Sequence, residues 1–185
     1  MNNFCYNILV DFDINLDHIN QIKKDNSNMV GVNSFQVYKT NVDKTLKLFL
    51  NHYNVGISFS EIFYTPPKSK MTIHNDSHGV KTKLNWIFGA DGSVMKWWKP
   101  KDGYTHNNEK NAIGNDYISY NEDDCECLWT QEVGHPSIVN VAIPHSIDNP
   151  TDDGRWCMSY VLYNNDKKEN LTWNDAVLKF ESILK

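Results

Sequence analysis

The chain has 185 residues, 40% hydrophobic, 12% aromatic and 22% charged, which are the proportions of a folded globular protein at the length of one domain spanning 1–185. Eighteen basic against 23 acidic residues leave a formal charge of −5, which argues against sequence-blind binding to nucleic acid or anionic lipid. No apolar run approaches the roughly 20 residues needed to cross a bilayer, and the start MNNFCYNILVDFDIN lacks a basic segment followed by an apolar one, so a cytoplasmic protein that engages neither membrane nor nucleic acid is expected.

In chain order, 4–12 (FCYNILVDF) has the composition of a strand, and 15–24 suits a short helix. Over 41–53, Val42, Leu46, Phe49, Leu50 and Tyr53 fall on one face of an amphipathic helix. From about 57 to 163 the pattern changes to short runs rich in β-branched and aromatic residues: ISFSEIFY, KMTIH, KLNWIF, VMKWW, CLWTQEV, SIVNVAI and RWCMSYVLY. Turn residues separate them, and seven or eight such strands predict a sandwich, jelly roll or barrel. The polar stretch 99–124 is long enough for a loop that closes over a ligand. Near the end, Thr172 and Asp175 have N-cap spacing, and Trp173, Ala176, Val177, Phe180, Ile183 and Leu184 form a helical stripe. The expected fold class is mainly β with flanking helices (α+β), its β core at about 57–163.

Cys5, Cys125, Cys127 and Cys157 are too sparse for a disulfide-stapled scaffold and read as reduced thiols. Cys125 and Cys127 form half of a zinc pattern, with no second close Cys or His pair to complete it.

Of the seven histidines, His74 begins an H-x-D triplet, His74-Asn75-Asp76. Residues two apart on a strand point the same way, so this imidazole and carboxylate can reach one metal ion. A second histidine would complete a two-His-one-carboxylate set, the ligand pattern of non-haem Fe(II) oxygenases. His145 is the candidate for it, with His135 its rival, and His78 is a candidate for supporting the ligands from behind. Arg155, the sole arginine, follows His145 by ten residues and opens RWCMSYVLY. On a strand it shares a face with Cys157, Ser159 and Val161, leaving space in which its guanidinium can receive a carboxylate through two hydrogen bonds.

At these residues, over about 64–163, the sequence resembles the Fe(II)/2-oxoglutarate-dependent dioxygenases, and within them the prolyl-4-hydroxylase-like branch. The resemblance rests on a strand ending in H-x-D, the run KLNWIFGADGSVMKWW, and PHSIDNP followed by Arg155. It implies a double-stranded β-helix (jelly roll) in which His74, Asp76 and His145 bind Fe(II) and Arg155 holds the far carboxylate of 2-oxoglutarate. Tyr64, ten residues before His74, corresponds to a second oxoglutarate contact, and Ser159 to a smaller one, because Cys157 stands where many members carry serine. The implied reaction consumes O2 and 2-oxoglutarate, releases succinate and CO2, and hydroxylates an unactivated C–H of a peptidyl or free amino-acid-like substrate. The nucleic-acid demethylases of this superfamily carry a second arginine after the first, and none exists here.

Two other classes compete with this reading. One is a non-catalytic jelly-roll module that binds a ligand such as carbohydrate through exposed aromatics such as Trp97 and Trp98. The other is a cupin-like metal enzyme that does not use 2-oxoglutarate.

Overall fold

The computed structural model describes residues 2–25, 31–37, 41–76, 79–111, 113–133 and 136–185. The elements begin with β1 (Cys5–Asn7), α1 (Asp17–Asp25), β2 (Asn33–Gln36), α2 (Lys44–His52) and β3 (Val55–Thr65). Then follow β4 (Ser69–Lys70), β5 (Ile73–Asn75), β6 (Thr82–Phe88), β7 (Val94–Pro100), β8 (His106–Lys110) and β9 (Asp116–Tyr120). The chain ends with β10 (Cys125–Glu132), β11 (Ser137–Asn140), β12 (His145–Asn149), β13 (Arg155–Asn164), β14 (Glu169–Asn170) and α3 (Trp173–Phe180). No helix among the described residues is long and apolar enough to cross a membrane.

The strands form two seven-stranded antiparallel sheets, one ordered β1-β11-β6-β13-β3-β2 with β14 on β13, the other β10-β7-β12-β5-β9-β8 with β4 on β12. The eight central strands pair from the outside in, β3 with β13, β5 with β12, β6 with β11 and β7 with β10. Successive pairs alternate between the sheets, as an antiparallel ribbon wound on itself requires. The fold is therefore a double-stranded β-helix, a jelly roll.

Strand alternation assigns each face its partner. On β13, Trp156, Met158, Tyr160 and Leu162 join a core with Ile19 and Ile22 of α1, Leu46 and Leu50 of α2, and Ala176, Val177 and Phe180 of α3. The helices thus cover the outer face of the first sheet, each fully buried large side chain contributing about 1.5–3 kcal/mol. Asp43 caps α2 by accepting from Thr45 and Leu46 N–H, and Thr172 caps α3 by accepting from Asp175 N–H. The other face of β13 looks between the sheets, where Cys157 packs with Ile87, Val139, Met95, Trp97 and Ile147.

Three expectations change. The 4–12 strand shrinks to β1, followed by a single bridge from Ile8 to Leu184. The run SIVNVAI divides: β11 ends at Asn140, the chain crosses between sheets, and His145 opens a new strand in the second sheet. Much of the polar 99–124 stretch is the β8–β9 hairpin, which extends that sheet by pairing with β5. Polar composition concealed these strands because β8 is exposed throughout and its residues have no apolar alternation.

Candidate metal centre

His74 and His145 are directly opposite one another in the β5–β12 pair. Their ring centroids are 4.4 Å apart. Asp76, two residues past His74 and just beyond β5, points the same way, with Oδ1 4.0 Å from His74 Nε2. His74 Nδ1 lies 2.8 Å from the Thr72 carbonyl and His145 Nδ1 3.0 Å from that of Ile143. A carbonyl only accepts, so each Nδ1 carries a hydrogen, and in the neutral ring the lone pair then sits on Nε2, where an ion can take it. The donor atoms of His74, Asp76 and His145 all lie within 4.8 Å of one another, the one such cluster among the described residues. Two neutral imidazoles and a carboxylate suit a divalent cation.

The surroundings hold Asp76 charged and His145 neutral. Burial alone would push the Asp76 carboxyl up, but Lys83, with Nζ 2.9 Å from Oδ2, overrides it and holds the group at about 2. Burial pushes the His145 imidazole down to about 3, with His74 beside it adding to the effect, so His145 is neutral near neutral pH. Lys83 is itself buried, and the carboxylates of Asp76 and Glu61 outweigh its desolvation and keep it charged. Glu61 Oε2 is 3.5 Å from Lys83 Nζ, while Oε1 accepts from the side chains of Asn111 at 3.3 Å and Asn115 at 3.2 Å.

A cavity of about 580 Å3 opens onto this cluster, lined by His74, Asp76, Lys83, Glu61, Phe63 and Tyr117 among others. Tyr117, on β9, meets the His74 ring edge-on. The β8–β9 turn reaches across from the second sheet to Glu61 on the first, so the hairpin roofs the cavity.

Arg155 lies on the face of β13 that looks between the sheets, 3% exposed. Its place is set by Asn149, whose side-chain amide donates to the carbonyls of Thr65, Pro66 and Asp153 and ties the β12–β13 turn to the end of β3. Burial draws the Arg155 pKa down, and the neighbouring Cys157 thiol opposes this. Arg155 forms no ion pair among the described residues and is not among those lining the cavity. Across from it, Thr65 Oγ1 is buried without a hydrogen-bond partner among the described residues.

Tyr64 does not join the site. Its neighbours Glu61 and Phe63 face the cavity, whereas Tyr64 lies over Trp156, ring centroids 4.7 Å apart, on the helix-covered side. It also lies against Gly154, where a Cβ would come within 2.5 Å of the Tyr64 ring. Ser159 faces between the sheets, but its hydroxyl donates to Asn85 Oδ1 at 2.7 Å. His78 and His135 lie outside the described residues. The aromatic surface expected at Trp97 and Trp98 is absent: both are buried, their indole N–H groups donating to the Asn140 carbonyl and to Ser146 Oγ. Trp129, 45% exposed, stacks on Phe4.

Sequence reasoning missed Lys83 and Glu61. The available signal was a charged residue inside a strand otherwise suited to burial, KLNWIF and ISFSEIFY, because such residues are buried only when paired.

No family model matches the sequence, and no curated protein does. Among solved structures, the chain is similar to oxalate decarboxylase from Bacillus subtilis at 12% identity and a TM-score of 0.35, covering 74% of this chain and 26% of that one. A variant of that enzyme gives 12% identity and 0.37, covering 81% and 30%. Peruvianin-I, a cysteine peptidase from Thevetia peruviana latex, gives 11% and 0.35, covering 77% and 67%. The chain thus spans about a quarter of the oxalate decarboxylase chain. Likeness this slight carries no argument about activity.

Proposed function

We propose that this jelly-roll chain is a mononuclear metalloenzyme whose divalent ion is held by His74 Nε2, Asp76 Oδ1 and His145 Nε2. The observation that carries this reading is the cross-strand histidine pair with Asp76 beside it, both Nδ1 atoms engaged by carbonyls and both Nε2 atoms free. Fe(II) bound there would supply dioxygen activation. The protein's own part is to keep Asp76 and His145 deprotonated, exclude bulk water with the β8–β9 roof, and present a substrate from the adjoining cavity.

The finer reading is an Fe(II)- and 2-oxoglutarate-dependent hydroxylase acting on a peptidyl or free amino-acid-like substrate. Its support is the H-x-D, distal His and Arg155 arrangement, together with a buried guanidinium and the unpartnered Thr65 hydroxyl opposite it, a pair suited to one carboxylate. A cupin-like metal enzyme that uses no 2-oxoglutarate is the second reading. It is favoured by the cavity lining, in which the cation beside the ligands is Lys83 and not Arg155.

Anaerobic addition of Fe(II) and 2-oxoglutarate separates them. The hydroxylase predicts a weak visible charge-transfer band and, with oxygen admitted, succinate in a mass-spectrometric screen of peptide and amino-acid pools. Ion binding with neither signal selects the second reading, and no ion binding removes both.

A further inference from the structure

Lys83 makes the two oxygens of Asp76 inequivalent. It lies on the inner face of β6, 5% exposed, with Nζ 2.9 Å from Asp76 Oδ2. That oxygen is closed to solvent and meets the ammonium as an ion pair outside hydrogen-bond geometry, whereas Oδ1 is the one that faces His74 Nε2. The ammonium is held from behind as well, 3.5 Å from Glu61 Oε2 and 5.1 Å from the centre of the Phe63 ring. Glu61 in turn is fixed by the amides of Asn111 and Asn115 in the hairpin turn. Lys83 is thus braced at its head, and Asp76 cannot rotate Oδ2 toward the histidines without abandoning a buried charge pair.

We propose that Lys83 is a positioning residue that makes Asp76 a one-oxygen ligand. This rests on the reading of His74, Asp76 and His145 as the ion-binding set. A free carboxylate can bind a cation through either one or both oxygens. The second oxygen would occupy a coordination position that this enzyme needs for an incoming molecule. By occupying Oδ2, Lys83 keeps that position open, and Glu61 serves it by holding the ammonium in place.

The test uses Mn(II) alone as the probe, since water-proton relaxation counts the exchangeable waters bound to it. Wild type is expected to hold Mn(II) with about three such waters, the positions left free when three protein atoms bind a six-coordinate ion. Lys83→Met is expected to lose one of them, and Lys83→Arg to regain it. Lys83→Met leaves two buried carboxylates without a cation, so Lys83→Met/Glu61→Gln, which removes one of those charges, is measured beside it as the variant expected to fold. The same water count in wild type and in whichever of these two variants folds overturns the role. Wild type that binds no Mn(II) overturns the ion-binding assignment itself, and the proposal with it.

Discussion

His74 and His145 are cross-strand partners whose rings are steadied identically, each Nδ1 donating to the carbonyl two residues earlier in the chain, Thr72 for one and Ile143 for the other. The backbone therefore sets the tautomer of both rings before any ion arrives, and neither Nε2 makes a hydrogen bond among the described residues. His74→Ala or His145→Ala is expected to lower Mn(II) affinity by about 100-fold or more, exceeding the usual effect of losing a group behind the ligands. Titration calorimetry on variants shown to be folded by circular dichroism measures this. Affinity unchanged in both would remove the pair from ion binding.

Acid should destabilise the protein over a window set by His145. Its folded pKa is about 3 against an ordinary 6.5, so between those values the unfolded chain takes up a proton that the folded chain refuses. Stability therefore falls as pH drops through that range. Asp76, held at about 2 against an ordinary 3.8, contributes stability that is present above 3.8 and is lost as pH falls toward 2, the same sign in a more acidic window. Urea unfolding of the ion-free chain between pH 7 and pH 4 should show a shallower loss in His145→Gln than in wild type. Equal slopes would mean that His145 is not buried neutral.

Arg155→Lys distinguishes the two enzymatic readings. If the guanidinium receives a carboxylate of 2-oxoglutarate through two parallel hydrogen bonds, replacement by a point charge should raise the KM for oxoglutarate by about 10-fold or more with a smaller change in kcat. Steady-state succinate formation measures both. A wild-type-like KM would dissociate Arg155 from oxoglutarate binding.

The hairpin roof depends on contacts near the long end of hydrogen-bond range, Asn111 and Asn115 on Glu61 Oε1. Asn115→Ala removes one of them and leaves intact the turn's own bonds, in which Asn111 Oδ1 accepts from the backbone N–H groups of Ile113 and residue 115. Faster amide hydrogen exchange is expected in β8 and β9 while β3 and β13 keep wild-type protection. Uniform exchange across both pairs of strands would show that these amides do not hold the roof.

The legible parts of the fold were those whose pattern repeats with a period. Leu46 and Leu50 of α2, and the Trp173 to Phe180 stripe of α3, announced helices, and the 2-residue alternation of RWCMSYVLY divided β13 into a helix-facing and an interior face. His74 and Asp76 were legible because a triplet on a strand has only one geometry. That His145 faces His74 depended on the crossing between β11 and β12, a four-residue connection with no signal beyond its proline. Tyr64 was misplaced because counting back from His74 ignores the strand's alternation, which sends Glu61 and Phe63 inward and Tyr64 outward. The Lys83 contacts join β6 to β3 and to the end of β5, and no local pattern reports such a meeting.

The central claim is that His74, Asp76 and His145 hold one ion. A crystal structure of the chain grown with Mn(II), with the ion located by its anomalous scattering, tests it most directly. The expected result is a single strong site bonded to His74 Nε2, Asp76 Oδ1 and His145 Nε2, lost in crystals of Asp76→Ala. A fully occupied ion elsewhere, or none between these three side chains, would contradict it.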